Sequence, residues 1–574
     1  MNVCAPAVGM QAMQMGKPGA PLWSVRDAGA LSAMFGLAAM FTVHLITVCR
    51  RHPEILEPSA GQAGCCLCFA FVWQLWVLLR CLPSIHAGVA SGGPGSPRVV
   101  TAPLGGSFPL LASLQASSLP YVDAAAEFGA IMALFWLCDR TPYFERSGKG
   151  YSRDFFWFLW GVLMCAGIAS LRKCGAVRAP SVTKGPGSGG SSSLPLSQVV
   201  AEAYAKPLQR DQTEEWKGWM QVMFLLYHYF EAKELYNAIR IYIAAYVWMT
   251  GFGNFSYYYV KADFGLTRFC QMMWRLNFLC FFCCLVLQND YMLYYICMLH
   301  TAFTVIIYAC LGIKSEINHT SGGMALKFVA TTTAVIVVWH VPGAFGIFWA
   351  PWRWLVLYKG SMHEWFFRST LDHLVWIVGM ATAFFFPNMD NALQRLETLP
   401  MKPRMAIKAS IVMVCLFLLR RFYVHVFALD KYGYNAMHPY MSWLPITTYI
   451  ILRNLSSTAR QYYMGFFAWL GKITLETYIA QFHIWMSSTG PDFTWEPNAS
   501  PKRLLRLLPA EYPLVNFLLV SGIYIGVSFR IFYCTVALRG LATPSDRDAL
   551  LYNLKVAPVG LFVVYIISRL LLVL

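Results

Sequence analysis

Residues 212–240 read QTEEWKGWMQVMFLLYHYFEAKELYNAIR, and this stretch decides how the rest of the chain is interpreted. Among its aromatic and aliphatic residues it carries four spaced polar ones, which are Lys217, Gln221, His228 and Glu231. On an α-helix these side chains fall within roughly 40° either side of one line. A polar stripe on an apolar membrane helix must face the protein interior or a wet cavity, because exposure to lipid is costly. The stripe therefore predicts either a catalytic wall or a polar contact between helices.

The composition indicates the class of protein. Hydrophobic residues make up 57% of the 574 residues and charged residues only 13%, about half the charged share of a soluble domain. Apolar runs of membrane-spanning length recur along most of the chain. We therefore predict an all-α polytopic membrane protein with about 12–15 transmembrane helices.

The net charge and the cysteines also indicate a membrane protein. The net charge of +17 is carried mostly by short connections between apolar runs, which is typical of membrane topology and of contact with anionic lipid headgroups. We expect membrane lipid as a partner and no nucleic acid. The 17 cysteines are interpreted as small apolar residues, with acylation near Cys65 as the alternative. No metal is expected.

Two low-complexity loops divide the chain. Residues 1–27 form an N-terminal tail, and residues 28–171 hold four predicted spans with a Gly/Pro/Ser-rich loop at 87–120. A second flexible loop is predicted at 172–215, and residues 216–574 form a larger multi-span region. The first apolar run is interpreted as a retained span, because no cleavage site follows it.

The common catalytic signatures are missing from the sequence, so polar residues within apolar segments become the candidates for chemistry. In the stripe, His228 is the expected base and Glu231 the acid that orients it. Lys217 and Gln221 would bind substrate together with Asn237 and Arg240 on the following segment. The alternative is that His228 only hydrogen-bonds to a neighbouring helix.

A second acid–histidine pair lies in GKITLETYIAQFHIW, residues 471–485. Glu476 and His483 are seven residues apart and share one face of a predicted helix. We expect them to form a second catalytic wall. The alternative is that they make contacts between helices and cap a helix end.

A third group of polar residues stands at a membrane edge in SMHEWFFRSTLDHLVW, residues 361–376. His363 and Asp372 are expected to line a substrate site together with Arg275, whereas Arg368 is interpreted as a boundary anchor. A rim of this kind suits an anionic donor such as the phosphates of coenzyme A. His300, His340, His373 and His438 have weaker support and are left out of the predicted site.

Long aromatic-rich motifs between about residues 125 and 553 resemble the reduced wall acetylation proteins of plants and algae. These are multi-span Golgi proteins needed for O-acetylation of cell-wall polysaccharides. The motifs that carry the resemblance are CDRTPYFERSGKGYSRDFFWF, EEWKGWMQVMFLLYHYF, YNAIRIYIAAYVWMTGFGNFSYYY, MMWRLNFL, YMLYYIC, MHEWFFRSTLD, HPYMSWLPIT and FAWLGKITLETYIAQFHIW.

The same membrane domain occurs in fungal capsule acetylation proteins and in animal sialic acid O-acetyltransferases. There it is joined to a soluble SGNH-type domain with a Ser-Asp-His catalytic set, whose sequence pattern these 574 residues do not contain. More distantly, GKITLETYIAQFH is similar to a late-helix pattern of membrane acyltransferases that use acyl-CoA. Their early-helix catalytic histidine would correspond to His228, although the spacing from His228 to Arg240 differs from theirs.

The resemblance implies a Golgi membrane O-acetyltransferase, or a component of one, with a membrane acyltransferase-like bundle. It would pass acetyl from cytosolic acetyl-CoA towards hydroxyls of luminal polysaccharide or an intermediate acceptor, with His228 as base or transient acetyl carrier. A luminal acetyltransferase is the further partner implied. The alternative is a transporter that supplies an acetyl donor to separate luminal transferases, in which case the stripe is a substrate path. A scaffold that recruits such transferases is a third interpretation.

Overall fold

The computed structural model describes residues 109–174, 206–287, 289–353, 362–488, 503–509 and 511–571. The predicted N-terminal tail, the first two predicted spans and most of the predicted loop at 172–215 lie outside these residues.

Helices dominate the described part of the chain. Up to residue 349 the elements are α1 (Pro109–Arg140), β1 (Glu145–Ser147), α2 (Arg153–Ala169), β2 (Leu171–Lys173), α3 (Arg210–Phe230), α4 (Tyr236–Lys261), α5 (Leu266–Leu287), α6 (Tyr295–Gly312), α7 (Ser321–His340) and α8 (Ala344–Trp349). The later elements are α9 (His363–Thr370), α10 (Val375–Phe384), α11 (Phe386–Thr398), α12 (Met401–Phe422), α13 (Lys431–Met441), α14 (Trp443–Leu455), α15 (Ser457–Gln461), β3 (Tyr462–Met464), α16 (Gly465–Lys472), α17 (Thr474–Ala480), β4 (Met486–Ser487), β5 (Arg503–Arg506), α18 (Pro513–Ala542) and α19 (Arg547–Leu571). Two π-helical turns, Tyr423–Phe427 and Gln481–Trp485, follow α12 and α17.

The predicted class, an all-α polytopic membrane protein, is confirmed. Among the helices described, five are long and apolar enough to cross a membrane, or six if one bent pair counts as a single span. Other helices are shorter than a span. The helix α14 has 13 residues, and a helix of that length reaches only about 20 Å, short of the roughly 30 Å of a bilayer core. The number of 12–15 spans stays a prediction, because part of the chain lies outside the described residues.

The described residues form two compact units, each assembled from separated segments. The larger unit takes its residues from 148–264 and 290–478, and the smaller unit takes the remainder of the described chain. The boundaries of these units do not follow the division predicted along the sequence, because α1, near the start of the described chain, packs with α5 and α18. The domain division at 172–215 stays a prediction.

In the larger unit, α4 and α10 cross at a pair of glycines. A Cβ atom at Gly251 would lie 2.0 Å from the carbonyl oxygen of Trp376, and one at Gly379 would lie 2.2 Å from that of Trp248. Neither position has room for a methyl group, so the two backbones touch directly. Small residues permit this close approach in helical membrane proteins.

The helix that carries the polar stripe is held in the same way. A Cβ atom at Gly218 on α3 would lie 1.8 Å from the carbonyl oxygen of Phe467 on α16. A Cβ atom at Gly471 on α16 would lie 1.9 Å from that of Glu214 on α3. The backbones of α3 and α16 therefore approach each other closely at these two glycines.

Replacing Gly251 by alanine is expected to destabilise the larger unit by about 1–3 kcal/mol, because the added methyl group forces α4 away from α10. Gly253 lies two residues further along α4, and a Cβ atom there meets nothing within 4 Å. Gly253→Ala is thus the matched control and should leave stability nearly unchanged. Thermal unfolding of the two purified variants in detergent would measure the difference, and equal melting temperatures would contradict the glycine crossing.

In the smaller unit, pairing of short strands connects the ends of helices. The strand β5 pairs antiparallel with β1 on one side and β4 on the other, so that Leu504 is opposite both Ser147 and Met486. Because β1 follows α1 and β4 follows the second π-helical turn, this sheet joins the ends of the two helical segments. In the larger unit, β2 pairs antiparallel with β3.

Candidate active site

The start of the polar stripe faces the interior of the larger unit, as predicted. The buried Gln221 side chain donates through Nε2 to Thr477 Oγ1 at 3.1 Å. The hydroxyl of Tyr246 on α4 donates to the carbonyl oxygen of Lys217 at 2.5 Å and lies 3.4 Å from Gln221 Oε1. The ammonium of Lys217 pairs with Glu214 at 2.7 Å. The stripe is thus fixed between α4 and α17.

His228 occupies the last turn of α3 and packs edge-on against the rings of Phe224 and Tyr227, with centroids 4.5 and 5.1 Å away. Its side chain is partly accessible, whereas Phe224, Leu225 and Leu226 on the same helix are buried. The side chains of His300 and Tyr246 are also partly accessible.

The predicted helical placement of Glu231 is wrong. The helix α3 ends at Phe230, and Glu231 adopts the left-handed conformation with φ 54° and ψ 45°. A left-handed residue ends a helix and turns the chain away from the preceding face. The Glu231 carboxylate pairs with Lys233 at 3.0 Å, and its side chain is 52% exposed. Glu231 therefore does not continue the face that carries His228.

Two cations, Lys149 and Arg368, lie close enough for their charges to act on His228. Lys149 belongs to the connection before α2, where burial lowers its pKa to about 8. The guanidinium of Arg368 pairs with Glu364 at 2.8 Å and lies over the ring of Tyr295 at 4.4 Å. Two cations near one partly accessible imidazole favour an anionic ligand.

Arg240 and Asp372, predicted as separate lining residues, form one buried ion pair. Arg240 Nη2 lies 2.7 Å from Asp372 Oδ2, and their side chains are 4% and 0% exposed. On the other side of the carboxylate, His438 Nε2 lies 3.4 Å from Asp372 Oδ1. The Nδ1 atom of His438 is 3.0 Å from the hydroxyl of Tyr434. The result is a buried chain of four side chains across α4, α13 and the turn before α10.

His483 lies on the second π-helical turn and belongs to the smaller unit, where its Nδ1 atom is 2.8 Å from Asp139 Oδ2. Asp139 is fully buried and also accepts hydrogen bonds from Ser487 Oγ at 2.9 Å and from the backbone nitrogen of Ser488 at 2.7 Å. Asp139 was not among the sequence candidates. Glu476 is fully buried on α17 in the larger unit, and its pairing with His483 stays a prediction.

The other predicted substrate-binding residues have structural contacts or lie at the surface. Asn237 Nδ2 donates to the carbonyl oxygens of Phe427 and Leu429, at 2.8 and 3.0 Å, and so holds the end of the first π-helical turn. Arg275 lies over the ring of Phe532 at 5.2 Å in the smaller unit. His363 is the exposed first residue of α9. Their roles in substrate binding stay predictions.

Sequence reasoning underrated His300 and His438, because the partner of each lies far away in the chain. His438 meets Asp372, which is 66 positions distant, and His300 Nδ1 lies 2.6 Å from Thr250 Oγ1, which is 50 positions distant. A single sequence shows no signal for such pairs. Within the described part of the chain, no group of three or more His, Cys, Asp or Glu side chains is arranged to hold a metal ion.

Comparison with known proteins identifies a matching family and curated relatives. The domain described as a ten-transmembrane acyl transferase domain found in Cas1p matches residues 112–178 and 193–555. The N-acetylneuraminate (7)9-O-acetyltransferase of Danio rerio is 32% identical over 463 residues, which cover 78% of this chain and 54% of that protein. The chain thus spans about half the length of this relative. No solved structure matches.

Proposed function

Since the chain belongs to the family of ten-transmembrane acyl transferase domains found in Cas1p, we propose that it is a Golgi membrane O-acetyltransferase or the acetyl-transferring component of one. Its donor is acetyl-CoA on the cytosolic side. Its acceptor is a hydroxyl group of luminal polysaccharide or of an intermediate carrier. The relative from Danio rerio is named for O-acetylation of a sugar, which supports a carbohydrate hydroxyl as the final acceptor.

The observation that carries this proposal is the position of His228. A partly accessible imidazole on an apolar helix of a membrane protein is costly to keep there, so a functional role is the first expectation. It is accompanied on one helix by Lys217 and Gln221, which the structure fixes between α4 and α17. The cations near His228 suit the phosphates of coenzyme A.

Acetyl transfer needs a group that accepts and then passes on either one proton or the acetyl group. When the acceptor oxygen bonds to the acetyl carbonyl carbon, the carbon–sulfur bond breaks, and the hydroxyl proton must reach the coenzyme A thiolate. His228 serves either as the base that relays this proton or as the transient carrier that first takes the acetyl group on a ring nitrogen. A site among the helices around His228 holds the reactants together and limits access of water.

The test uses purified full-length protein in sealed proteoliposomes, with acetyl-CoA labelled separately on the acetyl group and on the coenzyme. We expect the acetyl label to reach the protein or a luminal acceptor while the coenzyme label stays outside. Entry of both labels together would overturn the proposal and would make the protein a transporter of the acetyl donor. Movement of neither label, with luminal transferases recruited nonetheless, would favour the scaffold.

A further inference from the structure

His300 on α6 is a partly accessible histidine that the proposed chemistry has not yet used. Its Nδ1 atom lies 2.6 Å from the hydroxyl oxygen of Thr250 on α4. Lys217 and Asp372 are close enough for their charges to act on it. It therefore stands near both the stripe and the buried Arg240–Asp372 pair, within the larger unit.

The hydrogen bonds of Thr250 determine which nitrogen of His300 can accept a proton. The Thr250 hydroxyl donates to the carbonyl oxygen of Tyr246, one turn earlier, at 3.3 Å. A threonine hydroxyl has a single proton to donate, so when it is given to Tyr246, Thr250 Oγ1 can only accept the 2.6 Å hydrogen bond from His300 Nδ1–H. In neutral imidazole the lone pair then resides on Nε2. In this arrangement His300 is in the tautomer that a base requires.

The hydrogen bonds that position His300 connect it to the polar stripe on α3. Tyr246, whose carbonyl oxygen orients Thr250, uses its own hydroxyl to contact Lys217 and Gln221. Gln221 in turn donates to Thr477 on α17. One chain of hydrogen bonds therefore fixes His300 relative to α3, as is needed for a residue that must meet a substrate bound along the stripe.

We propose that His228 carries the acetyl group while His300 is the base that deprotonates the acceptor hydroxyl, and that Thr250 is the positioning residue of His300. This inference rests on the proposed function. As the acceptor oxygen bonds to the acetyl carbon, its proton passes to His300 Nε2. The bond from the acetyl carbon to the ring nitrogen of His228 breaks, and the proton moves on to that nitrogen. An acetylated His228 is too weak a base to take the proton itself, so a separate base is needed whenever His228 carries the acetyl group.

The experiment measures acetyl transfer by full-length protein in proteoliposomes to glucan, mannan and xylan fragments and to N-acetylneuraminate. His300→Ala is expected to lose about 100-fold or more of the activity. Added imidazole should restore part of it, and substituted imidazoles should do so in the order of their basicity. A structural histidine would not be rescued in this way. His425, an exposed histidine after α12, provides the control His425→Ala, which should behave like wild type.

Thr250 supplies a second variant pair. Thr250→Ser keeps the hydroxyl and should retain activity within about threefold, whereas Thr250→Val removes it and should lower kcat about tenfold with little change in KM. Full activity of His300→Ala, or a loss that no imidazole relieves in a folded variant, would overturn the role of His300. Absence of acetyl-CoA-dependent transfer by the wild type would overturn the proposed function itself.

Discussion

Replacing His228 by alanine is expected to lower acetyl transfer by about 100-fold to 10,000-fold, the range that removal of a general base produces. The variant should also fail to release free coenzyme A, because His228 acts on the thioester as base or as acetyl carrier. The double-label proteoliposome assay measures both activities at once.

The alternatives for His228 give different results in that assay. If His228 only bonds a neighbouring helix, His228→Ala will transfer acetyl normally or will lose activity in proportion to a lower melting temperature. Covalent acetyl label on the wild-type protein, absent from His228→Ala, would identify the carrier. Loss of activity without any labelled protein in the wild type would identify the base.

The sequence-based prediction and the structure disagree about the position of Glu231. Had the helix continued, Glu231 would orient His228, and Glu231→Gln would be nearly as damaging as His228→Ala. Because Glu231 lies beyond the helix end and pairs with Lys233 at 3.0 Å, we expect Glu231→Gln to retain activity within a few-fold. A loss comparable to that of His228→Ala would restore the original prediction.

Part of the fold was predictable from local sequence. Apolar runs and clustered basic residues identify an all-α membrane protein, and the run at 153–169 does form a helix. The helix end at Phe230 was not predictable, because FEAKEL contains neither glycine nor proline to mark it. The break inside residues 474–485, where α17 gives way to a π-helical turn, also has no recognisable signal.

The candidate site was predictable as a set of polar residues but not as a set of pairs. Membrane burial makes Arg240, Asp372 and His228 conspicuous, since charged and polar groups are rare in apolar segments. Which of them meet depends on helix crossings such as the glycine contact of α4 with α10. That is why Asp139 and His438 were missed as partners, whereas the hydrogen bonds of Asn237 to the first π-helical turn were not foreseen.

Removing Asp372 is expected to destabilise the protein by about 3–5 kcal/mol, because Arg240 would be left as an uncompensated buried charge. The pair of Glu364 with Arg368 provides a matched control. Its atoms are separated by 2.8 Å, close to the 2.7 Å of the buried pair, but its side chains are 36% and 32% exposed. Glu364→Ala should therefore cost only about 0–1 kcal/mol. Thermal unfolding of both variants tests the contrast, and similar losses would contradict it.

Replacing both members of the buried pair distinguishes support of the fold from a role in chemistry. Arg240→Met combined with Asp372→Leu removes both charges and fills similar volume, a change that is often neutral or stabilising. We expect the double variant to recover most of the stability that Asp372→Ala loses. If it also recovers acetyl transfer, Arg240, Asp372 and His438 only join helices. If it is folded but remains about 100-fold less active, the charges of Arg240 and Asp372 set the electrostatic field at the site where transfer occurs.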